Sequence, residues 1–158
     1  MNSKLIFLLL VIFINSCSQD VYDENMKLTS SAFTNNGKIP SKYTCDGNNI
    51  NPELIISNVP KNAKSLVLIM DDPDAPIGNW DHWVVFNIPV TTNVINEDSE
   101  PQGVAGKNSW KKTGYGGPCP PDREHRYFFK LYALDTSLNL EEGATKKEVE
   151  NAMKNHIL

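Results

Sequence analysis

Two histidines, two aspartates and a tyrosine stand beside turns in this chain, where a rigid scaffold can aim them. Asp72 and Asp74 flank a proline in Asp71-Asp72-Pro73-Asp74-Ala75-Pro76, and His82 follows in Trp80-Asp81-His82-Trp83. His125 and Tyr127 come just after Gly116-Gly117-Pro118-Cys119-Pro120-Pro121. These residue types suit a small anion. Imidazoles donate hydrogen bonds and become cationic when an anion is near, and a phenol adds a hydroxyl donor. Glycine-rich backbone presents N–H groups with no side chain in the way. Prolines such as Pro120 have no N–H, so Gly116, Gly117 and Cys119 are the donors of that run. The carboxylates act in the opposite sense: they fix histidine tautomers or accept from a ligand ammonium group. A phosphate ester carrying an amine head would match both charges. The candidate ligand-binding residues are Asp72, Asp74, His82, Gly117, Cys119, Pro120, His125 and Tyr127.

Other chemistry is open to the same residues. Cys119, His125 and an aspartate could form a cysteine hydrolase, but an activated thiolate wants a helix N-terminus or an adjacent cation. Pro118-Cys119-Pro120-Pro121 opens no helix with free N–H groups. Asp72, Asp74, His82 and His125 could hold a metal for hydrolysis, although no close ligand pair of the His-Glu-x-x-His kind is present. The plainer possibilities are that an aspartate beside a proline only forms a turn, that His82 is a structural histidine, and that Arg126 makes an ion pair. A non-catalytic binding site is the expectation carried forward, with no cofactor and no resident metal.

The elements that must position these groups are mostly strands. Leu66-Val67-Leu68-Ile69-Met70 is a short apolar run ending at a Pro/Asp/Gly cluster, which is how a buried strand meets a turn. Trp83-Val84-Val85-Phe86 reads as a second buried strand. Leu28 to Phe33 and the residues after Asn51-Pro52-Glu53 are further strand candidates, and Thr91 to Gly106 reads as a long surface loop containing acidic Glu97-Asp98-Ser99-Glu100. His125 to Leu134 is enriched in aromatic and apolar residues and predicts a strand. Alternation puts His125, Tyr127, Phe129 and Leu131 on one face and Arg126 and Phe128 on the other. One helix is predicted near the C-terminus: Thr145 and Glu148 make a capping box, and Val149, Ala152, Met153 and Ile157 follow at helical spacing. Several strands with irregular loops and one helix predict a mainly antiparallel β fold.

Asp72-Pro73-Asp74-Ala75-Pro76 with Asp81-His82-Trp83-Val84, the Gly116–Pro121 run with His125-Arg126-Tyr127, and Tyr43-Thr44-Cys45-Asp46-Gly47 together resemble the phosphatidylethanolamine-binding protein family. The nearest likeness is to its bacterial, Raf-kinase-inhibitor-like branch. The resemblance covers residues 28–158. It implies a mainly β fold: a central antiparallel sheet, a smaller second sheet and peripheral helices. It also implies a pocket for phosphate or phospholipid headgroups, and a binding or inhibitory role, since some relatives inhibit kinases or serine peptidases. Two departures stand out. Ile56 occupies a position where the family usually has tryptophan, an apolar exchange that predicts repacking only. The family also continues past the final helix with a short segment bearing an aromatic residue near the pocket, and this chain ends at Leu158.

Length and composition set the bounds. The 158 residues are 40% hydrophobic and 22% charged, as in an ordinary globular domain, and one domain is expected. The net charge of −4, without a Lys/Arg stripe, argues against a nucleic-acid partner. Lys4 followed by the apolar run Leu5–Ile14 and then Asn15-Ser16-Cys17 reads as a secretory signal over residues 1–16. That run is too short to span a bilayer. Its ending resembles a bacterial lipobox, which makes Cys17 the lipidated residue, residues 17–27 a tether, and the bacterial cell envelope the location, with a lipid anchor to the membrane. Cys45 and Cys119 are then an even pair in an oxidising compartment, free to form a disulfide or to stay two buried thiols.

Overall fold

A computed structural model describes residues 25–158. Residues 1–24, with the signal-like segment and the proposed lipidation site Cys17, lie outside the described residues. The elements are β1 (Lys27–Thr29), β2 (Leu54–Ser57), β3 (Ser65–Asp72), β4 (Trp80–Ile88), β5 (Val94–Ile95), β6 (Val104–Ala105), β7 (Phe128–Leu134) and α1 (Lys146–Met153). They form two antiparallel sheets, a large one ordered β6-β4-β3-β7 and a small one ordered β1-β2-β5. Among the described residues no helix is long and apolar enough to cross a membrane.

The large sheet is covered on both faces, which is why β3 reads as an unbroken apolar run rather than an alternation. Leu66, Leu68 and Met70 turn to one side and pack with Trp83, Val85 and Ile88 against Leu54, Ile56 and Ile95 of the small sheet. Val67 and Ile69 turn to the other, with Val84 and Phe86, against Val149 and Met153 of α1. Ile56 is 3% exposed in this core, so the position is filled by an aliphatic side chain. The helix begins as predicted. The Thr145 side chain accepts from the Glu148 N–H, and the Glu148 carboxylate accepts from the Thr145 N–H at 2.8 Å. It ends at Met153, one turn short of Ile157, which instead forms a bridge to Leu134 at the end of β7.

Several boundaries differ from expectation. Lys27, assigned to the tether, opens β1 and pairs with Ser57. β1 stops at Thr29 and does not run to Phe33, because the Ser30 hydroxyl turns to donate to the Glu53 carbonyl and accept from the Ala32 N–H. The stretch from Thr91 to Gly106 holds two short strands, and Ile95 within it is 2% exposed. Its acidic residues are anchors too: Glu97 accepts from Lys42 and Tyr43, and Glu100 accepts from the Trp83 indole N–H at 2.9 Å and the Tyr115 N–H at 3.1 Å.

Candidate functional site

The candidate residues gather at one end of the large sheet, where β3 stops at Asp72, β4 starts at Trp80 and β7 starts at Phe128. The turn from β3 to β4 is set locally. Asp72 Oδ1 accepts from the Asp74 N–H at 2.8 Å, an Asx turn across Pro73. The other oxygen, Oδ2, accepts from His125 Nδ1–H at 2.7 Å. Asp72 itself is 3% exposed.

His82 reaches the same face through an irregularity. One residue step on β3, from Met70 to Asp71, corresponds to two on β4, from Trp83 to Asp81, so His82 is the extra residue of a bulge. Asp81 stays on the helix side, where Lys146 meets it at 3.1 Å, while Trp83 lies in the core between the sheets. The bulge frees His82 to lean over the edges of Trp110 and Tyr127, with ring centroids 5.0 and 5.2 Å away. Its Nδ1–H donates to the Gly116 carbonyl at 2.6 Å, which fixes the proton on that nitrogen. Burial lowers its pKa below the ordinary value and outweighs the Gly116 contact and the charge of Asp72. Burial therefore biases His82 toward the neutral imidazole.

His125 is the opposite case. Its side chain has no exposed surface, and both ring nitrogens face carboxylates: Nδ1 at 2.7 Å from Asp72 and Nε2 at 2.9 Å from Asp122. Both can be satisfied together only by the doubly protonated ring. The Asp72 hydrogen bond raises its pKa, burial opposes this, and Asp122 adds to the rise. Asp122 is held in turn, its Oδ2 accepting from Arg123 Nη1 at 2.8 Å. Asp122 was not among the residues expected from sequence. A carboxylate three places before His125 at the end of a proline run was the signal available.

Tyr127 lies beside both histidines, its ring centroid 6.5 Å from that of His125. Its hydroxyl is buried and, among the described residues, has no well-formed hydrogen bond, the nearest donor being the Cys119 backbone N–H. Burial and the Asp72 charge push its pKa up to about 12, against the pull of the Cys119 backbone N–H. Tyr127 is thus a donor at any ordinary pH.

Two expectations need correction. The Asp74 carboxylate does not serve the cluster as a free acceptor. It clamps Arg126, accepting from the backbone N–H at 2.9 Å, Nε at 2.8 Å and Nη2 at 2.7 Å, and this contact holds its pKa far below the usual carboxylate range. That clamp takes the Arg126 N–H away from the sheet, so β7 starts at Phe128 rather than at His125. The glycines are not an open anion cradle either. The Gly116 N–H donates to the His82 carbonyl at 3.0 Å and the Gly117 N–H to Asn49 Oδ1 at 2.8 Å. Glycine is needed for close packing: a Cβ on Gly116 would lie 2.5 Å from the Trp110 ring, and one on Gly117 2.4 Å from the Tyr43 carbonyl. Cys119 is joined to Cys45 by a disulfide, with Cα atoms 5.4 Å apart and a sequence separation of 74. The Cys45 N–H donates to the Pro118 carbonyl and the Tyr115 hydroxyl to the Tyr43 carbonyl, so the loops at 43–49 and 115–119 form one stitched wall.

A cleft of about 890 Å³ opens beside the cluster. Pro118, Pro120, His125 and Tyr127 belong to its wall, and Phe33, Ile39 and Phe129 add apolar surface. Among the described residues, no three of the His, Cys, Asp and Glu side chains are arranged to hold a metal ion.

Residues 29–158 match the family described as phosphatidylethanolamine-binding protein. A Methanothermobacter thermautotrophicus relative, called a UPF0098 protein, is 52% identical over 139 residues, spanning 84% of this chain and 92% of its own. The chain is similar to the crystal structure of a phosphatidylethanolamine-binding protein homologue from Chlamydia trachomatis, with 46% identity and a TM-score of 0.83 over 85% of this chain and 92% of that one. It is also similar to the E. coli protein YbcL, described as a member of the mammalian PEBP family, with 31% identity and a TM-score of 0.77 over 84% and 92%. The relatives span archaea and bacteria, so the likeness does not confine this chain to a bacterial branch.

Proposed function

Because the chain belongs to the phosphatidylethanolamine-binding protein family, we propose that it is a non-catalytic binding protein whose cluster at Asp72, His82, His125 and Tyr127 takes the oxygen of a small phosphate or phospholipid headgroup. The observation that carries this reading is the Tyr127 hydroxyl, buried with no well-formed hydrogen bond among the described residues. Buried polar groups are nearly always hydrogen-bonded, and an orphan among titratable side chains marks a place where something else completes the bond. The phenol offers a proton, and the His125 imidazolium beside it offers positive charge. Cys119 has no free thiol while it is bridged to Cys45, which removes the nucleophile that a cysteine hydrolase would need. The two histidines are engaged differently: His82 turns Nδ1 to a carbonyl, and His125 turns both nitrogens to carboxylates.

The test is an NMR titration of the 158-residue chain with inorganic phosphate and with phosphoethanolamine, following histidine ring and tyrosine signals. Saturable shifts centred on His125 and Tyr127 support the reading. A folded chain with no response to either compound refutes it.

A further inference from the structure

Resting on the binding reading above, we propose that Asp122 is a built-in occupant of the site: its carboxylate holds the His125 Nε2 position that a ligand anion takes, and ligands enter by displacing it. The two carboxylates on His125 differ in kind. Asp72 has a side chain 5% exposed and is fixed through both oxygens, to His125 and to the Asp74 N–H. Asp122 has a side chain 47% exposed, and its contacts other than His125 are to its neighbour Arg123, through the exposed guanidinium and the backbone N–H. Rotation about the two side-chain bonds of Asp122 carries it into solvent without moving the backbone that Pro120 and Pro121 stiffen. Nε2 is therefore the one exchangeable position on the imidazolium.

Charge is consistent with the same assignment. Asp72 balances His125, Asp74 and Arg126 balance each other, and Asp122 is balanced by the exposed Arg123, so its carboxylate can leave the imidazole together with its own counter-charge. A phosphate arriving beside Asp122 would meet repulsion, and one replacing it would meet a neutral His125–Asp72 pair with a free Nε2–H and the Tyr127 hydroxyl. A site filled by its own side chain binds external ligand more weakly in proportion to its self-occupancy.

The experiment is calorimetric titration of the 158-residue chain and its variants with inorganic phosphate. Asp122→Ala is expected to bind about tenfold more tightly than the parent, about 1.4 kcal/mol, and Asp122→Asn to tighten in the same direction. Glu124→Gln removes a charge from the same loop but not from His125, and its affinity should match the parent. Asp122 variants that bind like the parent overturn the inference and leave the binding site standing. Equal tightening by Glu124→Gln overturns it in favour of a general charge effect, and weaker binding by Asp122→Ala overturns it by making Asp122 a ligand contact. If neither parent nor Asp122 variants bind, the binding reading and this inference fall together.

Discussion

Tyr127→Phe separates a binding group from a structural one, because its effects on stability and on affinity have opposite signs. In most proteins the removal of a buried tyrosine hydroxyl breaks a hydrogen bond and destabilises. Here the hydroxyl is buried and, beyond the pull of the Cys119 backbone N–H, has no hydrogen-bond partner among the described residues, so the protein carries a desolvated polar group whose burden is about 1–3 kcal/mol. Phenylalanine keeps the edge-on contact with His82 at 5.2 Å and the packing against the core between the sheets, and it removes only the oxygen. The variant should gain about 1 kcal/mol, read as a rise of about 3–5 °C in the melting temperature of a domain of this size. Its affinity for phosphate should fall. A hydrogen bond to a charged acceptor contributes about 1.5–3 kcal/mol, which corresponds to about a tenfold to hundredfold loss. Calorimetric titration beside thermal unfolding measures both. A variant that melts lower than the parent would show that the hydroxyl has a partner in the free protein, and unchanged affinity would remove Tyr127 from the site.

Other consequences are as direct. Cys45→Ser opens a loop with a sequence separation of 74 and should destabilise by roughly 4 kcal/mol in the chain-entropy model; denaturant midpoints check this, and alkylation of the unreduced protein should label neither Cys45 nor Cys119. The histidines should titrate on opposite sides of 6.5, His125 above and His82 below, by NMR. The His125 clamp then contributes its full stability below pH 6.5 and loses it as pH rises through the raised value. His82 contributes above pH 6.5 and loses its part as pH falls through the lowered value. A His125 midpoint below 6.5 would contradict its doubly protonated state. Gly116→Ala should destabilise by about 1–3 kcal/mol, because its Cβ would lie 2.5 Å from the Trp110 ring that packs on His82; a parent-like melt with unchanged tryptophan fluorescence would refute that contact.

How far the site could be read in advance depended on how each residue is held. Asp72, His125 and Tyr127 were legible because strand ends and period-two alternation govern them: Asp72 ends β3, and the odd-numbered residues before β7 face the same way. His82 was legible as a candidate but not in its geometry. Strict alternation would place it opposite Trp83, and only the extra residue of the β4 bulge turns both to one side. A bulge depends on the register of two distant strands, and nothing local to Trp80-Asp81-His82-Trp83 encodes it. The same holds for Gly116 and Gly117. Their glycine character marked them as backbone that comes close to something, and that something is Trp110 and Tyr43 rather than a ligand.

The residues misjudged from sequence share one property: their partners lie far along the chain. Asp74 finds Arg126 across a separation of 52, and Glu100 finds Trp83 and Tyr115 from opposite sides. Composition marks such residues as turn or surface, which is correct for their exposure and silent about their bonds. Asp122 was passed over for the opposite reason, since its partners Arg123 and His125 are one and three residues away, and it carries the largest consequence. The disulfide, the Gly117–Asn49 hydrogen bond and the Tyr115–Tyr43 hydrogen bond immobilise the wall up to Cys119, while Asp122 beyond it is tied only through its own side chain. A rigid wall beside a replaceable carboxylate is an arrangement in which ligand exchange needs no movement of the sheet. Affinity in this chain should therefore respond to the charge at position 122 more than to substitutions within the glycine run that leave the fold intact.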